Sequence, residues 1–301
     1  MVYCMASGMV LPNYMTTNLL HINLSKCCHI VFKPKTTLVD QPYPYLNLEI
    51  NGTSIKQVKY AKFLGVTIDE DLSWDQHLTQ LKRRLYHATA TLSNIKRFIP
   101  EQNRNELYHT LFESHLVYCI SAWGEVGTTK MESIHRIQKK VLRILFGDLE
   151  AYKKKFMTCV RTRPFLSQTL GHAFYEREHT KPIFRDQNIL VVNNLYSLHC
   201  FMETFKILKY HSPISIFNQY TFSNRTCLSY ISLIPPLKYS HFIYNSSTIW
   251  NTIRSKFSIT DLSSSTFSIK DKLKKALLEN QHIHHDIEWI PSFDYNLSKL
   301  A

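Results

Sequence analysis

Between residues 19 and 72 apolar and polar positions alternate in short bursts. Leu20, Ile22 and Leu24 alternate with His21 and Asn23, and His29-Ile30-Val31-Phe32 follows a polar break at Ser25-Lys26. A period of two predicts strands. Gln41-Pro42-Tyr43-Pro44 predicts a turn or edge segment, since proline has no N–H to give to a ladder. Asn51-Gly52, set between Leu48-Glu49-Ile50 and Ser54-Ile55, is the two-residue signal for a type I′ hairpin. Phe63-Leu64-Gly65-Val66-Thr67-Ile68 reads as a short buried strand ending at Asp69.

From Trp74 the period lengthens. Leu78, Leu81, Leu85, Ala88, Leu92 and Ile95 step by 3, 4, 3, 4, 3 and form one apolar stripe on a long helix. Ser73 is placed to cap its start and Pro100 ends the pattern. A second helix is predicted from about Glu101 to Ile120, with Leu107, Leu111, Phe112 and Val117 inward. A third begins at the capping box Thr129-x-x-Glu132. It carries Met131, Ile134, Val141, Leu142 and Leu145 inward, and stops at Gly147. Beyond 165, Leu195, Leu198, Phe201, Met202, Phe205 and Leu208 have helical spacing, and Ser246–Ile253 and Ile269–Leu278 read as short helices. The stretch 211–240, rich in Ser, Pro, Tyr and Asn, reads as irregular.

The fold class that follows is α+β, predominantly α: a small β-hairpin region, a helical bundle, and a mixed, mostly helical C-terminal region. The expected divisions are an unassigned segment 1–17, a β-rich part 18–72 and three helices over 73–147. A basic linker 148–164, a helical region 165–281 and a polar tail 282–301 complete the chain.

Composition narrows the function. The 301 residues include 7 glycines, where average usage of roughly 7% would give about 21. There is no G-x-G-x-x-G, no G-x-x-x-x-G-K-[ST] and no G-x-S-x-G, which removes glycine-rich phosphate cradles and the nucleophile elbow. The formal charge of +13 comes without an apolar run long enough for a bilayer, favouring nucleic acid over membrane as partner. No signal peptide is read in Met1–Met15, and the 7 scattered cysteines lack C-x-x-C spacing. An intracellular setting, nucleus or cytoplasm, with buried free thiols is expected, and secretion is not.

The charge is concentrated. Residues 130–163 hold ten basic residues against three acidic ones, a net of +7. On the predicted third helix Arg136, Lys139, Lys140 and Arg143 fall opposite the apolar side, and Lys82-Arg83-Arg84 add to the first helix. Such a stripe suits contact with a phosphate backbone. A solvated face of an amphipathic helix has the same appearance, and composition leaves both readings open. Asp69-Glu70-Asp71 is the densest carboxylate cluster, but consecutive residues on a strand end point in alternating directions. They are read as turn and helix-start acids rather than metal ligands. His282-x-His284-His285-Asp286 has no Cys/His partner pair for a zinc site, so no metal site and no catalytic residue is assigned. Tyr108, His115, Tyr118 and Trp123-Gly124 read either as a stacking platform for bases or, more ordinarily, as packing at a helix junction.

Taken in order, these segments resemble the downstream part of a reverse transcriptase from a non-LTR, LINE-type retrotransposon of the Jockey-like group. Leu20–Lys26 with Ile30-Val31-Phe32 resembles the palm segment after the polymerase active site. Phe63–Asp69 with Leu72, Trp74 and His77 resembles the hairpin leading from palm to thumb. Tyr108 to Trp123-Gly124, through Leu111, Ser114-His115-Leu116 and Tyr118, resembles a thumb block, and Ile134–Ile144 the thumb helix after it. His179–Phe184, Asn188-Ile189-Leu190, Leu195-Tyr196 and Ile249-Trp250-Asn251 resemble the region beyond the thumb. The resemblance covers about residues 18 to 279.

The resemblance implies a partial palm, a helical thumb and a connection region, with an RNA–DNA or RNA template–primer duplex as partner. Family members polymerise DNA with Mg²⁺ held by aspartates in an early palm strand and in a Tyr-x-Asp-Asp turn, both upstream of the part matched here. Met1–Thr17 contains no Asp or Glu, so the expectation is a truncated enzyme without its catalytic aspartates, without a cofactor of its own, and inactive alone. Lys26 matches the palm lysine that lies near the incoming triphosphate in such enzymes. The segment Leu20–Phe32, without the rest of the palm, is expected to present an unpaired sheet edge. The alternative is a captured helical module whose surface binds a protein.

Overall fold

The computed structural model of the chain describes residues 17–19, 23–32, 47–50, 52–147, 180–222, 233–234, 241–257 and 262–281. Most of segment 1–17, Leu20–Ile22, the Pro-rich stretch at 41–44, the basic linker 148–164 and the tail 282–301 with its histidines lie outside the described residues. The fold is α+β and mostly α, with small two-stranded sheets. It divides into two compact units, Met1–Arg83 and Arg84–Ala301. No helix among the described residues is long and apolar enough to cross a membrane.

In the first unit, strand β1 (Cys28–His29) pairs in parallel with β4 (Lys56–Gln57). Leu24, expected as the last strand position, instead opens the 3-10 turn Leu24–Lys26, which contains the polar break read at Ser25-Lys26. The hairpin signal at Asn51-Gly52 is met: β2 (Glu49–Ile50) and β3 (Thr53–Ser54) pair antiparallel, and Gly52 takes φ +74. The predicted single strand Phe63–Ile68 is instead a second hairpin, β5 (Tyr60–Phe63) against β6 (Val66–Asp69). Leu64 and Gly65 both have positive φ, 46 and 84. Two consecutive left-handed residues make the turn whose twist suits a hairpin. Leu64 at its tip is 74% exposed, while Val66, Thr67 and Asp69 turn inward with Ile55, Leu78 and Leu81.

Helix α1 (Asp75–Ile95) starts in the first unit and ends in the second. Ser73 supplies an oxygen at its start as expected, but it does not act alone. Its Oγ accepts from Asp75 N–H at 3.4 Å and itself donates to Asp69. The other Asp69 oxygen accepts from Trp74 N–H at 3.2 Å. The carboxylate therefore fixes the loop that turns into the helix, and Trp74 takes the left-handed φ of 62 that the loop requires.

The second unit is helical. The expected helix from Glu101 to Ile120 is broken into α2 (Arg104–Leu107), a π turn (Tyr108–Glu113), α3 (Ser114–Val117) and, after Cys119 at φ 51, α4 (Ile120–Trp123). The π turn inserts a residue and moves the inward face. Tyr108, Phe112, Leu116, Ile120 and Trp123 are buried, whereas Leu111 is 36% exposed and Val117 half-buried. Helix α5 runs Thr128–Phe146 from an N-cap at Gly127 that has no side-chain cap, so the Thr129–Glu132 capping box is not formed. Gly147 ends it with φ −73. Its role is close approach: a Cβ there would lie 2.1 Å from the Arg143 carbonyl oxygen.

Helices α6 (Lys181–Asp186), α7 (Val192–Tyr210), α8 (Ile214–Phe217), α9 (His241–Phe257) and α10 (Thr266–Asn280) follow, with β7 (Thr221–Phe222) paired to β8 (Leu233–Ile234). Helix α7 is the centre of this unit, packed against α4, α5, α9 and α10 and buried almost all round. Phe201 stacks on Trp250 at 4.7 Å. The Asn251 side chain accepts from Leu233 N–H at 3.0 Å and donates to its carbonyl at 2.6 Å, so α9 holds β8 by backbone mimicry. Among the free cysteines, Cys200 is buried, Cys27 and Cys28 half-buried and Cys119 exposed.

Candidate nucleic-acid interface

Helix α5 is two-faced for a simple reason. At about 100° per residue, Arg136, Lys139, Lys140 and Arg143 fall within about 100° of one another. Ile134, Ile137, Gln138, Val141, Leu142 and Leu145 are buried on the other side. Arg136 and Lys140 are exposed, and Lys139 and Arg143 half-buried. Arg136 makes a loose pair with exposed Glu132 at 3.6 Å, of a kind worth little in water. The Arg143 Nε is enclosed and has no hydrogen-bond partner among the described residues.

The apolar side of α5 carries one polar residue, Gln138, which is fully buried. Its amide donates to the Tyr108 hydroxyl at 2.9 Å and to the Leu190 carbonyl at 2.8 Å, and its oxygen accepts from Val192 N–H at 3.0 Å. One side chain thus ties the π turn, the basic helix and the first residue of α7. Gln281 reinforces the same point, donating to the Ile189 carbonyl at 3.2 Å. His135 sits beside Gln138 at 3.3 Å, with its ring 5.7 Å from that of Phe184. Burial, aided by the charge of Lys139, lowers its pKa to about 4, so it is neutral at physiological pH. Arg104 anchors the far end of α5 by donating to the Leu145 carbonyl at 3.0 Å, where a cation also complements the helix dipole.

Helix α1 supplies the rest of the surface. Lys140 Nζ lies 5.8 Å from the centre of the Tyr86 ring, and Tyr86 is 51% exposed. Half-buried Arg84 is two residues away on α1. The structure thus brings α5's lysine and an exposed aromatic of α1 together, within reach of a cation–π contact. Lys82, half-buried, and Arg83, exposed, belong to the first unit, as does exposed Lys26 at the end of its 3-10 turn.

Two residues were not anticipated, one on this surface and one beneath it. Tyr86 is an aromatic lying off the apolar stripe of α1, and Gln138 a polar residue lying on the apolar stripe of α5; both irregularities are visible in the sequence. Of the two readings of the Tyr108–Trp123 aromatics, packing, the more ordinary one, holds for Tyr108 and Trp123, while His115 and Tyr118 are exposed. Tyr108 and Trp123 are fully buried, Tyr108 stacked on Phe112 at 5.4 Å and the Trp123 indole donating to the Tyr118 carbonyl at 2.9 Å.

The carboxylate cluster does not fit a magnesium site. Asp69 is 8% exposed and both its oxygens are engaged, by Ser73 and by Trp74 N–H. Among the described residues no group of three or more His, Cys, Asp or Glu could hold a metal ion.

Comparison with known proteins agrees with the resemblance read from the motifs. The chain is 26% identical over 130 residues to the RNA-directed DNA polymerase from mobile element jockey of Drosophila funebris, and 24% identical over 132 residues to that of Drosophila melanogaster. Each alignment spans 42% of this chain and 13% of the relative. A probable RNA-directed DNA polymerase from transposon BS of Drosophila melanogaster is 26% identical over 153 residues, 47% of this chain and 16% of that protein. The chain is therefore similar, over part of its length, to RNA-directed DNA polymerases of Jockey-type non-LTR retrotransposons, and the aligned stretch is a small fraction of theirs. No family model matches the chain, and no solved structure matches it.

Proposed function

We propose that this chain is a reverse-transcriptase region that grips a template–primer duplex and does no chemistry itself. The α5 face, with Arg136, Lys139, Lys140 and Arg143, is the gripping surface of a thumb-like bundle. Arg84 and Tyr86 flank it from α1, and Lys82 and Arg83 extend the basic run along that helix. The observation that supports this reading most is the exposed Lys140–Tyr86 contact on a helix face whose other members are basic. Contacts of this type are electrostatic and indifferent to base sequence. The catalytic aspartates of such a polymerase are not supplied by Asp69, whose carboxylate holds the start of α1 in place.

The test is fluorescence anisotropy of the full 301-residue chain with an RNA–DNA duplex across a salt series. Each phosphate contact contributes about −0.9 to the slope of log K against log salt. Four such residues give a slope of about −3 to −4, and the combined Arg136→Glu, Lys140→Glu and Arg143→Glu variant flattens it by about 3. A parent protein with a flat salt response overturns the proposal. So does a charge-reversed variant that binds duplex like the parent, which is the result expected of a protein-binding module. Template-directed nucleotide incorporation by the chain alone overturns the claim that it does no chemistry.

A further inference from the structure

A second surface of the helical unit has the same ingredients in a different arrangement. Helices α7 and α10 run antiparallel: Asn194 donates to the Leu277 carbonyl at 3.5 Å near one end, and Lys209 Nζ to the Ser264 carbonyl at 2.6 Å near the other. At the Lys209 end both helices expose aromatic rings. Tyr210 is 60% exposed and Phe267 83% exposed, each a large apolar side chain left in water. Lys206 lies one turn before Tyr210 on α7, and Lys270 one turn after Phe267 on α10, and both are exposed. His199, about two turns before Lys206 on α7, has its pKa lowered by burial first and then by Lys270 and Lys206, with Glu113 opposing.

Lys275 on α10 is taken by Asp271 at 2.8 Å. Lys209 lies 5.9 Å from the Tyr210 ring centre and 5.6 Å from that of Phe205, and its ammonium is held by the loop carbonyls of Ser263 and Ser264. Lys206 and Lys270 make no ion pair or hydrogen bond among the described residues, although Lys206 also feels the carboxyl of Glu203, which accepts from the Ser121 hydroxyl at 2.9 Å. Exposed rings interleaved with available lysines are the pattern by which proteins hold single-stranded nucleic acid, bases stacking on the rings and phosphates meeting the cations. A duplex keeps its bases stacked inside and has no use for the rings. An acidic protein segment would use the lysines but gain little from two outward rings.

We propose that Tyr210 and Phe267, with Lys206 and Lys270 beside them, form a binding surface for a single strand of nucleic acid, separate from the α5 face. The proposal does not rest on the duplex grip. Two stacking rings and two phosphate contacts suit a few nucleotides, the length of an unpaired template or product end.

The experiment uses the full chain carrying Arg136→Glu, Lys140→Glu and Arg143→Glu, so that binding at the α5 face does not mask the second surface. The probe is a fluorescein-labelled oligouridylate of about twelve nucleotides, within the ~4–16 that one such site spans. Tyr210→Ala and Phe267→Ala are each expected to weaken binding about tenfold, the order of one lost stack, and Tyr210→Phe to leave it within about twofold. Lys206→Glu with Lys270→Glu abolishes binding and leaves the thermal unfolding midpoint unchanged, since all four side chains face solvent. Polyglutamate at equal charge competes poorly. Binding that survives both alanine substitutions overturns the proposal, as does displacement by polyglutamate equal to that by oligouridylate. If the parent ignores duplex yet its single-strand binding falls in the Tyr210 and Phe267 variants, the duplex reading fails alone.

Discussion

Replacing Gln138 by leucine tests whether the helical unit is organised around one buried amide. The substitution keeps the volume roughly constant, so the loss is polar. Three enclosed groups lose their partner: the Tyr108 hydroxyl, the Leu190 carbonyl and the Val192 amide, at 2.9, 2.8 and 3.0 Å. Leaving a buried donor or acceptor unpaired costs about 1–3 kcal/mol each. The added apolar side chain returns about 1 kcal/mol of burial. A net loss of about 3 kcal/mol follows, since the three costs overlap in one site.

Urea unfolding measures it as a lower midpoint with an unchanged slope. In a unit of this size, about 2–4 °C per kcal/mol translates the loss into a melting temperature lower by about 6–12 °C. Tyr108→Phe removes one arm of the network and costs about 1 kcal/mol. Because Tyr108 and Gln138 share a bond, the double variant is less destabilised than the two singles added together, by about 0.5–3 kcal/mol. A Gln138→Leu loss under about 1 kcal/mol, or strict additivity with Tyr108→Phe, refutes the argument.

Two further outcomes follow from the same geometry. The pKa of His135, about 4 in the folded chain, lies below the ordinary 6.5 of an unfolded histidine. The unfolded chain therefore takes up the proton first as pH falls. The contribution of neutral His135 is present above pH 6.5 and lost between there and about 4. Allowing for partial exposure of the ring, the loss is on the order of 2 kcal/mol, and urea midpoints of parent and His135→Gln recorded from pH 7 to 4 converge by that amount; parallel profiles rule it out. Asp69→Ala removes the acceptor for Trp74 N–H and Ser73 and destabilises the start of α1 by about 0.5–2 kcal/mol, whereas exposed Asp71→Ala changes stability by less than about 0.5 kcal/mol. Equal effects of the two substitutions, read by thermal unfolding, contradict the capping role.

Much of the fold was legible because its signals are local. The stripe from Leu78 to Leu92 marks α1 by its period alone, and every member of that run is buried. Where the prediction slipped, the cause was a local geometry with no strong residue signature. Leu64-Gly65 forms a hairpin turn with two positive φ values, yet leucine is a poor advertisement for a left-handed position. The π turn at Tyr108–Glu113 shifted the inward face away from Leu111. A 3.6-residue count cannot anticipate one extra residue in a turn. Gly147 was read correctly as the stop for α5; the glycine is needed there because the carbonyl of Arg143 leaves no room for a side chain.

The two proposed surfaces divide along the same line. The α5 face is legible because its members are neighbours on one helix, so periodicity alone assembles them. Tyr86 joins Lys140 only after α1 and α5 come together, and Tyr210 and Phe267 come to the same end of α7 and α10 only once Lys209 is tied to the Ser264 carbonyl. Such partnerships are set by burial on the far sides of the helices. In α5 that far side holds Gln138, and in α7 it holds Phe201 against Trp250. The apolar and amide contacts thus decide where the charged and aromatic residues meet. A Gln138→Leu variant that stays folded should loosen the register of α5 on the start of α7. Its duplex affinity then falls although no basic residue has changed, while the Tyr210–Phe267 surface, on the far half of α7, keeps its single-strand binding.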